Sequence, residues 1–458
     1  MPYFTFRKCK KLFLLLSVCY FPADKIGAQS WVTSIVPTPH PVISIEAVDE
    51  NVVWACGWEG AYLRTTDGGE NWTAGQVSGT ESFDFFSIAA IDANTAYLSG
   101  TGYQTVDTRI YKTSDGGQSW EMQYRNTQPD AFINSIAFWD ESNGIAVSDA
   151  VDGSFLILTT SNGGVDWEPV PAENIPSPLP GEYGGAGYPA GTSVAVYGEG
   201  LAWFGTAYGM NTSDPVRIFK STDWGQTWGA VETPLTGSDE FKGIATLSFL
   251  DSLNGVAGGF NGLIQSTDGG QSWLPVNSFV YPNATISGIE YVPETGGQAI
   301  VVATTEGTAY STDGGASWMG LSNDDDFFGL SFVNSTTGWA AAGWQQGQGG
   351  LISRFEGNLL TAVVEQRPDG FLNSYSFPNP FTTSTTISFY LPSPQPVLLK
   401  IYNASGKEVA VLADEQMAAG EHQVIFDRHG LAPGIYFYQL QAGINLETGK
   451  LSLGLRRK

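Results

Sequence analysis

The stretch STDGGQSW at 266–273 decides the fold, because near-copies of it recur along the chain. Its Ser and Asp can hydrogen-bond to nearby backbone groups, and Gly-Gly supplies backbone angles that other residues resist. The Trp that follows suits a strand that packs between sheets. Each copy therefore predicts a tight turn followed by a strand. The six copies are TTDGGENW (65–72), TSDGGQSW (113–120), TSNGGVDW (160–167), STDWGQTW (221–228), STDGGQSW (266–273) and STDGGASW (311–318).

We call these six turns the boxes and expect their side chains to be structural. The carboxylate or amide of each box should clamp its own turn, and the Trp should pack between neighbouring sheets. A catalytic or calcium-binding role for the box carboxylates is the alternative. The clamp positions are Asp67, Asp115, Asn162, Asp223, Asp268 and Asp313, and the box tryptophans are Trp72, Trp120, Trp167, Trp228, Trp273 and Trp318.

The spacing of the boxes predicts a β-propeller. Successive clamp positions lie 48, 47, 61, 45 and 45 residues apart. Three short strands with alternating apolar residues precede each box, as in GIATLSFLDSLNGVAGGFNGLIQ at 243–265. A repeat of about 45 residues with four strands is typical of a propeller blade.

A seventh blade is predicted from fragments at the two ends of this region. Residues 327–358 have three strands but no box, and QSWVTSIV at 29–36 has the sequence that follows Gly-Gly in the boxes. We expect 29–36 to supply the missing outer strand, which would close a seven-bladed ring and leave no free sheet edge. The chain is thus predicted to be all-β, with a propeller over 29–358.

Residues 30–358 resemble the Asp-box (bacterial neuraminidase repeat) propellers. Within that group they look most like photosystem II assembly factor-like propellers, through NGVAGGFNGLIQSTDGGQSW at 254–273 and TGWAAAGW at 337–344. The resemblance implies the fold. It says little about function, because sialidases, xyloglucanases, sortilin-type receptors and assembly factors share the box.

The ends of the chain predict export. Residues 1–28 combine a basic region with a short apolar run and small residues at the end, as in a secretory signal peptide cleaved after Ala28. No later segment is long and apolar enough to cross a membrane. Residues 359–373 are a predicted linker, and the alternating strands in 374–458 favour a small immunoglobulin-like β-sandwich.

Residues 374–458 resemble the C-terminal sorting domain of the type IX secretion system in Bacteroidetes. The motifs are FPNPF at 377–381, IYNASGKEV at 401–409, LAPGIYFYQL at 431–440 and KLSL at 450–453. The resemblance implies export by that machinery to the cell surface or the medium, with the domain usually removed. The protein would then be released or attached to lipopolysaccharide. The alternative is an ordinary carbohydrate-binding or immunoglobulin-like module.

Charge excludes several partners. The chain has 21 basic and 46 acidic residues, and 29–371 has nine basic against 39 acidic. Such a body repels phosphate backbones and anionic membranes, so nucleic-acid binding is not expected. No Cys cluster or His pair has ligand spacing, so we expect no metal and no cofactor. Asp324–Asp326 form either a calcium-binding loop or a solvated acidic loop. We expect a monomer.

The candidate ligand-binding face is predicted from long loops. The Pro/Gly-rich loop 168–193 accounts for the extra length between boxes three and four, and the loops 100–108, 148–154, 205–215 and 343–350 should lie on the same face. Aromatic rings, carboxylates and amides there suit a sugar or a peptide, and variable solvated loops are the alternative. The predicted ligand-binding residues are Tyr103, Asp107, Asp152, Tyr183, Tyr188, Tyr208, Asp214 and Trp344.

Two function classes remain open from the sequence. The first is a binding or scaffold protein that uses this face. The second is a glycan-active hydrolase, for which Glu182 and Asp149 are the candidate catalytic carboxylates. A sialidase is disfavoured, because the Phe/Tyr-Arg-Ile-Pro signature is absent and VRIF at 216–219 is the nearest string.

Overall fold

The computed structural model describes residues 29–102, 107–185, 193–208, 214–235, 242–260, 262–282, 284–322, 327–345, 349–360, 374–377, 381, 383–391, 394–404, 406–428, 430–443 and 445–453. The chain divides into two compact units, one ending at Thr361 and one beginning at Ala362. No helix in the described residues is long and apolar enough to cross a membrane.

The first unit consists of antiparallel strands arranged as seven four-stranded blades. The first strand of the described residues is β1 (Ser30–Ile35). Blade 1 is β2 (Val42–Ala47), β3 (Val53–Gly57), β4 (Ala61–Thr65) and β5 (Thr73–Gln76); blade 2 is β6 (Phe83–Ala90), β7 (Ala96–Gly102), β8 (Asp107–Thr113) and β9 (Glu121–Asn126); blade 3 is β10 (Ile133–Phe138), β11 (Gly144–Val151), β12 (Ser154–Thr160) and β13 (Glu168–Pro169).

The other blades follow the same order, with one insertion. A 3-10 turn (Ala172–Asn174) and β14 (Glu182–Tyr183) precede blade 4, and β17 (Ala207–Tyr208) lies between its second and third strands in sequence but joins the sheet of blade 5. Blade 4 is β15 (Val194–Tyr197), β16 (Leu201–Gly205), β18 (Arg217–Ser221) and β19 (Gly229–Glu232); blade 5 is β20 (Lys242–Phe249), β21 (Gly255–Phe260), β22 (Gly262–Ser266) and β23 (Leu274–Pro275); blade 6 is β24 (Ile286–Tyr291), β25 (Ile300–Thr304), β26 (Gly307–Ser311) and β27 (Met319–Ser322); blade 7 is β28 (Gly329–Asn334), β29 (Thr337–Gln345), β30 (Gly349–Glu356) and β1.

The strand β1 closes the ring, as the sequence predicted. It pairs antiparallel with β30 along its whole length, from Ser30 opposite Glu356 to Ile35 opposite Leu351. Trp31 lies edge-on to Phe327, Phe332 and Phe355 at centroid distances of 5.0, 5.8 and 5.6 Å. Its Nε1 donates to Thr308 Oγ1 on blade 6 at 3.1 Å. Blade 7 is therefore completed by a strand that also binds it to blade 6.

The boxes are clamped by the hydrogen bonds that their sequence predicted. In the first box, Thr65 Oγ1 donates to Asp67 Oδ1 at 2.7 Å, and the Asn71 backbone N–H donates to the same oxygen at 2.9 Å. The third box exchanges donor and acceptor, because Asn162 Nδ2 donates to Asp166 Oδ2 at 2.9 Å. These bonds favour the ionised carboxylate and lower the pKa of Asp67 and, to about 2, that of Asp268.

The tryptophans of the boxes join neighbouring blades. Each belongs to an apolar cluster that combines its own blade with the preceding one, and Trp31 does the same for blades 6 and 7. Four are more than nine-tenths buried, and the other two, Trp72 and Trp120, are half-buried. Burial of such large rings at every junction is the main apolar contribution to holding the ring.

The second unit is a β-sandwich around one apolar core. The described strands form a three-stranded and a four-stranded sheet, seven strands in all, which is the number in a constant-type immunoglobulin domain. Side chains of both sheets, such as Ile387 and Leu440, fill the core. The strands are β31 (Tyr375–Phe377), β32 (Ser384–Leu391), β33 (Gln395–Asn403), β34 (Glu408–Met417), β35 (Gly420–Asp427), β36 (Gly434–Ala442) and β37 (Asn445–Leu453).

Candidate functional site: the loop-rich face

The boxes and the predicted ligand-binding loops lie at opposite ends of the strands. Each box follows the third strand of its blade and contacts the turn between the first and second strands, as where Gly68 N donates to Asn51 O at 2.9 Å. The other turns, between strands two and three and between consecutive blades, are therefore at the other end. We call that end the loop-rich face, and it includes the described parts of 168–193.

The insertion before blade 4 is fixed to this face by backbone pairing. Strand β14 pairs with β17, and β17 pairs in turn with the inner strand β20 of blade 5. Gly184 lies against the chain of blade 3, where an added Cβ would meet Ser148 O at 2.2 Å. Only glycine permits that approach. The insertion thus spans from blade 3 to blade 5 as a fixed wall.

Glu182, a candidate catalytic carboxylate, is engaged in a buried ion pair. Arg217 donates to both of its oxygens, with Nε to Oε1 at 2.9 Å and Nη2 to Oε2. Thr206 Oγ1 and the Leu179 N–H also donate to it, at 2.7 and 2.8 Å. The Glu182 side chain is fully buried. A carboxylate that accepts hydrogen bonds from all these donors is well suited to anchor the insertion. It is poorly suited to act as a general acid or base.

Asp107, predicted at the ligand-binding face, is also buried and paired. Arg109 Nε and Arg125 Nε lie 2.9 and 2.5 Å from its Oδ2. The Arg109 guanidinium lies over the Phe83 ring at 4.4 Å. The expectation of an exposed Asp107 is therefore wrong, because two arginines on β8 and β9 draw it into the blade.

Asp149, the other candidate carboxylate, retains a free oxygen. Its Oδ1 accepts from Asn134 Nδ2 at 2.9 Å and from the Gly184 N–H at 3.0 Å. Its Oδ2 has no hydrogen-bond partner within the described parts of the chain. Burial raises the pKa of Asp149 to about 6, against the lowering effect of these two bonds. Such a carboxyl group can accept or donate a hydrogen bond near neutral pH.

Three aromatic residues are connected to Asp149 through backbone and ring contacts, and we call Phe86, Phe132, Asp149 and Tyr183 the Asp149 patch. The Asp149 N–H donates to Phe132 O at 3.0 Å, and the Phe132 ring lies 4.9 Å from that of Phe86. Tyr183 precedes Gly184, and 40% of its surface is exposed. The patch combines half-exposed ring faces with a hydrogen-bonding group, an arrangement suited to a sugar or a peptide.

The remaining predicted residues have diverse positions. Tyr208 is 1% exposed and donates to Pro215 O at 3.1 Å, so its predicted exposure is wrong. Asp152 is exposed, with a backbone φ of 52°, and accepts from Gln128 Nε2 at 2.8 Å. The backbone oxygen of Asp214 accepts from Lys242 Nζ. Tyr103, Tyr188, Asp324–Asp326 and the Trp344 side chain lie outside the described residues.

Sequence reasoning missed several residues of this site. Phe86 lies within β6 of blade 2, and Phe132 directly precedes β10 of blade 3; the apolar character of both resembles that of ordinary core residues. Arg217 lies in VRIF, the string compared above with a sialidase signature, but its partner is Glu182. No group of three or more His, Cys, Asp or Glu able to hold a metal occurs within the described ranges.

Comparison with known proteins assigns the C-terminal unit. Residues 376–453 match the family described as the secretion system C-terminal sorting domain. The chain therefore carries a type IX sorting domain, interacts through it with the secretion machinery, and is exported to the cell surface or the extracellular space.

The chain is also similar in sequence and in structure to Ycf48 proteins. A stretch of 116 residues, 25% of this chain, is 30% identical to the photosystem II assembly lipoprotein Ycf48 of Synechococcus sp. (strain CC9902) and spans 30% of that protein. The structure of YCF48 from Cyanidioschyzon merolae matches with a TM-score of 0.53 and 17% identity, over 71% of this chain and 99% of that one.

Two further structures share the fold. YCF48 bound to D1 peptide matches with a TM-score of 0.51 and 17% identity, over 72% of this chain and 97% of that one. The GH74 xyloglucanase from Xanthomonas campestris matches with a TM-score of 0.51 and 13% identity, over 79% of this chain and 59% of that one. At these identities the likeness shows the fold alone. The chain is thus an exported seven-bladed β-propeller with a sorting domain.

Proposed function

We propose that the propeller is a binding module that holds a glycan or a protein segment on its loop-rich face outside the cell. The observation that supports this proposal best is the Asp149 patch. It combines half-exposed aromatic residues with a carboxyl group, one oxygen of which has no hydrogen-bond partner in the described part of the chain. The neighbouring acidic groups, Glu182 and Asp107, are already neutralised by arginines. A ligand would therefore meet a fixed, prearranged surface.

The charge of the propeller narrows the class of ligand that it could bind. The propeller is strongly acidic, and Arg109, Arg125 and Arg217 are engaged by the carboxylates of Asp107 and Glu182. An acidic ligand would find little compensation on this face. Neutral polysaccharides and uncharged or basic peptide segments fit better. One structural relative, YCF48, is bound to D1 peptide, which makes peptides a reasonable part of any ligand screen.

A glycan-active hydrolase is the second candidate, favoured by one observation. The pKa of Asp149 is raised to about 6, which is in the range of a general acid in glycoside hydrolysis. That chemistry needs a second carboxylate across the sugar. Glu182 is committed to Arg217, so a partner for Asp149 would have to come from elsewhere on the face.

The test uses the purified protein on immobilised neutral polysaccharides, host glycans and peptides, with retention and soluble products measured together. We expect retention without products. Asp149→Asn should raise the Kd of a retained ligand about tenfold or more, because it removes a hydrogen-bonding carboxyl group. Glu70→Gln, on an exposed residue of the first box at the opposite end, is the matched control and should bind normally.

Each outcome separates the candidates. Products that vanish with Asp149→Asn would establish the hydrolase. Equal binding by wild type and Asp149→Asn would remove the Asp149 patch from the site, and no retention of any ligand would contradict the proposed function for these ligand classes.

A further inference from the structure

The central channel of the propeller contains two carboxyl groups that the loop-rich face does not use. The channel is a cavity of about 280 Å³ lined by the inner strands of all seven blades. One apolar residue from each blade forms a ring around it. The ring consists of Ile45, Ile88, Ile136, Val194, Leu247, Ile289 and Leu330.

The next position on each inner strand differs around the ring. Blades 2, 3 and 4 have alanine there, whereas blades 5, 6, 7 and 1 have polar residues. In blade order from 1 to 7 the residues are Glu46, Ala89, Ala137, Ala195, Ser248, Glu290 and Ser331. The polar side of the channel is thus the side at which the ring is closed.

Each polar side chain accepts a hydrogen bond from the backbone of the next blade. The four bonds form a continuous series from blade 5 to blade 2, across the junction between blades 7 and 1. They are Tyr291 N to Ser248 Oγ at 3.0 Å, Phe332 N to Glu290 Oε2 at 2.9 Å, Ala47 N to Ser331 Oγ at 3.0 Å and Ala90 N to Glu46 Oε2 at 3.0 Å. The glutamates therefore connect blades 6 to 7 and 1 to 2.

No cation faces either glutamate among the described residues. The strands that pack against β2 and β24 carry a few other ionisable groups, which are bonded to other residues, buried or exposed to solvent. Lys242 on β20 donates to Asp214 O, Asp84 on β6 accepts from the Glu59 N–H at 3.0 Å, and the Cys56 thiol on β3 is directed at Phe85 O. Arg354 and Glu356 on β30 are exposed, and Tyr291 on β24 is nearly buried.

Two carboxyl groups in one channel, next to its ring of apolar side chains, cannot both ionise cheaply. Desolvation disfavours the charged form of each. Burial raises the pKa of Glu46 to about 7, and burial together with the charge on Glu46 raises the pKa of Glu290 well above its ordinary value. At mildly acidic pH both groups are neutral and still accept their backbone hydrogen bonds.

We propose that Glu46 and Glu290 make the closed ring proton-dependent, so that the junctions beside blade 7 are firmest when both carboxyl groups are neutral. The direction of the pH dependence follows from the linkage between proton binding and folding. Between the ordinary pKa of 4.5 and the folded pKa near 7, the folded protein holds more protons than the unfolded chain. Stability therefore falls as pH rises through this window and stays low above it.

The test is the melting temperature of the full-length protein from pH 5 to pH 8. All 14 tryptophans lie between Trp31 and Trp344, so tryptophan fluorescence reports on the propeller alone. For wild type we expect the melting temperature to fall by roughly 5 °C or more from pH 5 to pH 8. Glu46→Gln/Glu290→Gln should match wild type at pH 5 and melt several degrees higher at pH 8.

Asp149→Asn is the control, because the raised pKa of Asp149 also titrates in this window. That variant should retain most of the pH dependence. A wild-type melting temperature that is flat across the window, or a double variant that falls as steeply as wild type, would overturn the proposal. If the double variant does not fold, Glu46→Gln alone must reduce the fall. Carboxyl-carbon NMR of wild type must show Glu46 and Glu290 titrating above pH 6, and titration near 4.5 would refute the proposal.

Discussion

Deletion of 30–35 is expected to lower the melting temperature of the propeller by roughly 10 °C or more. The deletion removes the whole pairing with β30 and takes Trp31 from between Phe327, Phe332 and Phe355. Loss of one well-packed Trp alone costs about 3–5 kcal/mol, which is about 4–7 °C for a domain of roughly 330 residues at about 2.1 cal/mol/K of unfolding entropy per residue, and loss of the strand pairing adds to this shift. Tryptophan fluorescence during thermal unfolding measures the change.

A matched variant separates the closing contact from the mere presence of the strand. Val32 and Ile35 lie on the same strand but are 44% and 58% exposed. Val32→Ala/Ile35→Ala should therefore leave the melting temperature within about 2 °C of wild type. A deletion that melts like wild type would show that blade 7 is stable with three strands and does not need β1.

Glu182→Ala is expected to destabilise the propeller by about 3–5 kcal/mol, because it leaves the Arg217 guanidinium in a largely buried site without its counter-ion. The side chain of Arg217 is 11% exposed, and Ser177 O would remain its acceptor at 2.9 Å. The insertion should loosen at the same time, since Glu182 also holds the Leu179 N–H. Thermal unfolding and limited proteolysis of the insertion measure the two effects.

Glu232 provides the control for this ion pair. It lies directly opposite Arg217 in the pairing of β18 with β19, but it is exposed. Glu232→Ala should change stability by less than about 1 kcal/mol. Glu182→Met/Arg217→Met should recover much of the loss, because it removes both charges from the interior. Equal losses for Glu182→Ala and Glu232→Ala would contradict the assignment of Glu182 as the anchor.

The fold was predictable because the hydrogen bonds of each box are local in sequence. Its clamp acts over a few residues, as from Thr65 to Asn71, so the sequence contains the whole interaction. The closing strand was predictable for a related reason, since 29–36 begins with QSW, the sequence that follows Gly-Gly inside the boxes. An interaction that is contained within one repeat can be recognised by comparing the repeats in the sequence.

The site was less predictable because its decisive contacts join distant segments. Glu182 and Arg217 lie 35 residues apart, and nothing in either segment announces the pair. Asp107 pairs with Arg109 on its own strand and with Arg125 on β9, and neither neighbour marks it in the sequence as a buried residue. A carboxylate on a long loop is equally consistent with catalysis and with an ion pair, and only the fold distinguishes them.

The channel glutamates left a signal that an alignment of the inner strands would reveal. Glu46 in VISIEA and Glu290 in ISGIEY interrupt apolar strands at the same blade position. In an isolated strand, such a residue is indistinguishable from one that faces solvent. Its significance depends on the ring, which brings the seven positions together around one channel.

The strand β1 closes a ring of seven blades, and the loop-rich face and the channel both depend on that closure. The most direct measurement is disulfide formation in Thr33→Cys/Ser353→Cys. These residues are opposite each other in the pairing, with their side-chain oxygens 2.8 Å apart. Thr33→Cys/Leu351→Cys, offset by two residues, is the comparison. We expect a rapid intramolecular 33–353 disulfide under mild oxidation, detected by mass spectrometry, and little disulfide formation in the offset pair. Equal bonding in both pairs, or a 33–353 bond formed only between molecules, would contradict this expectation.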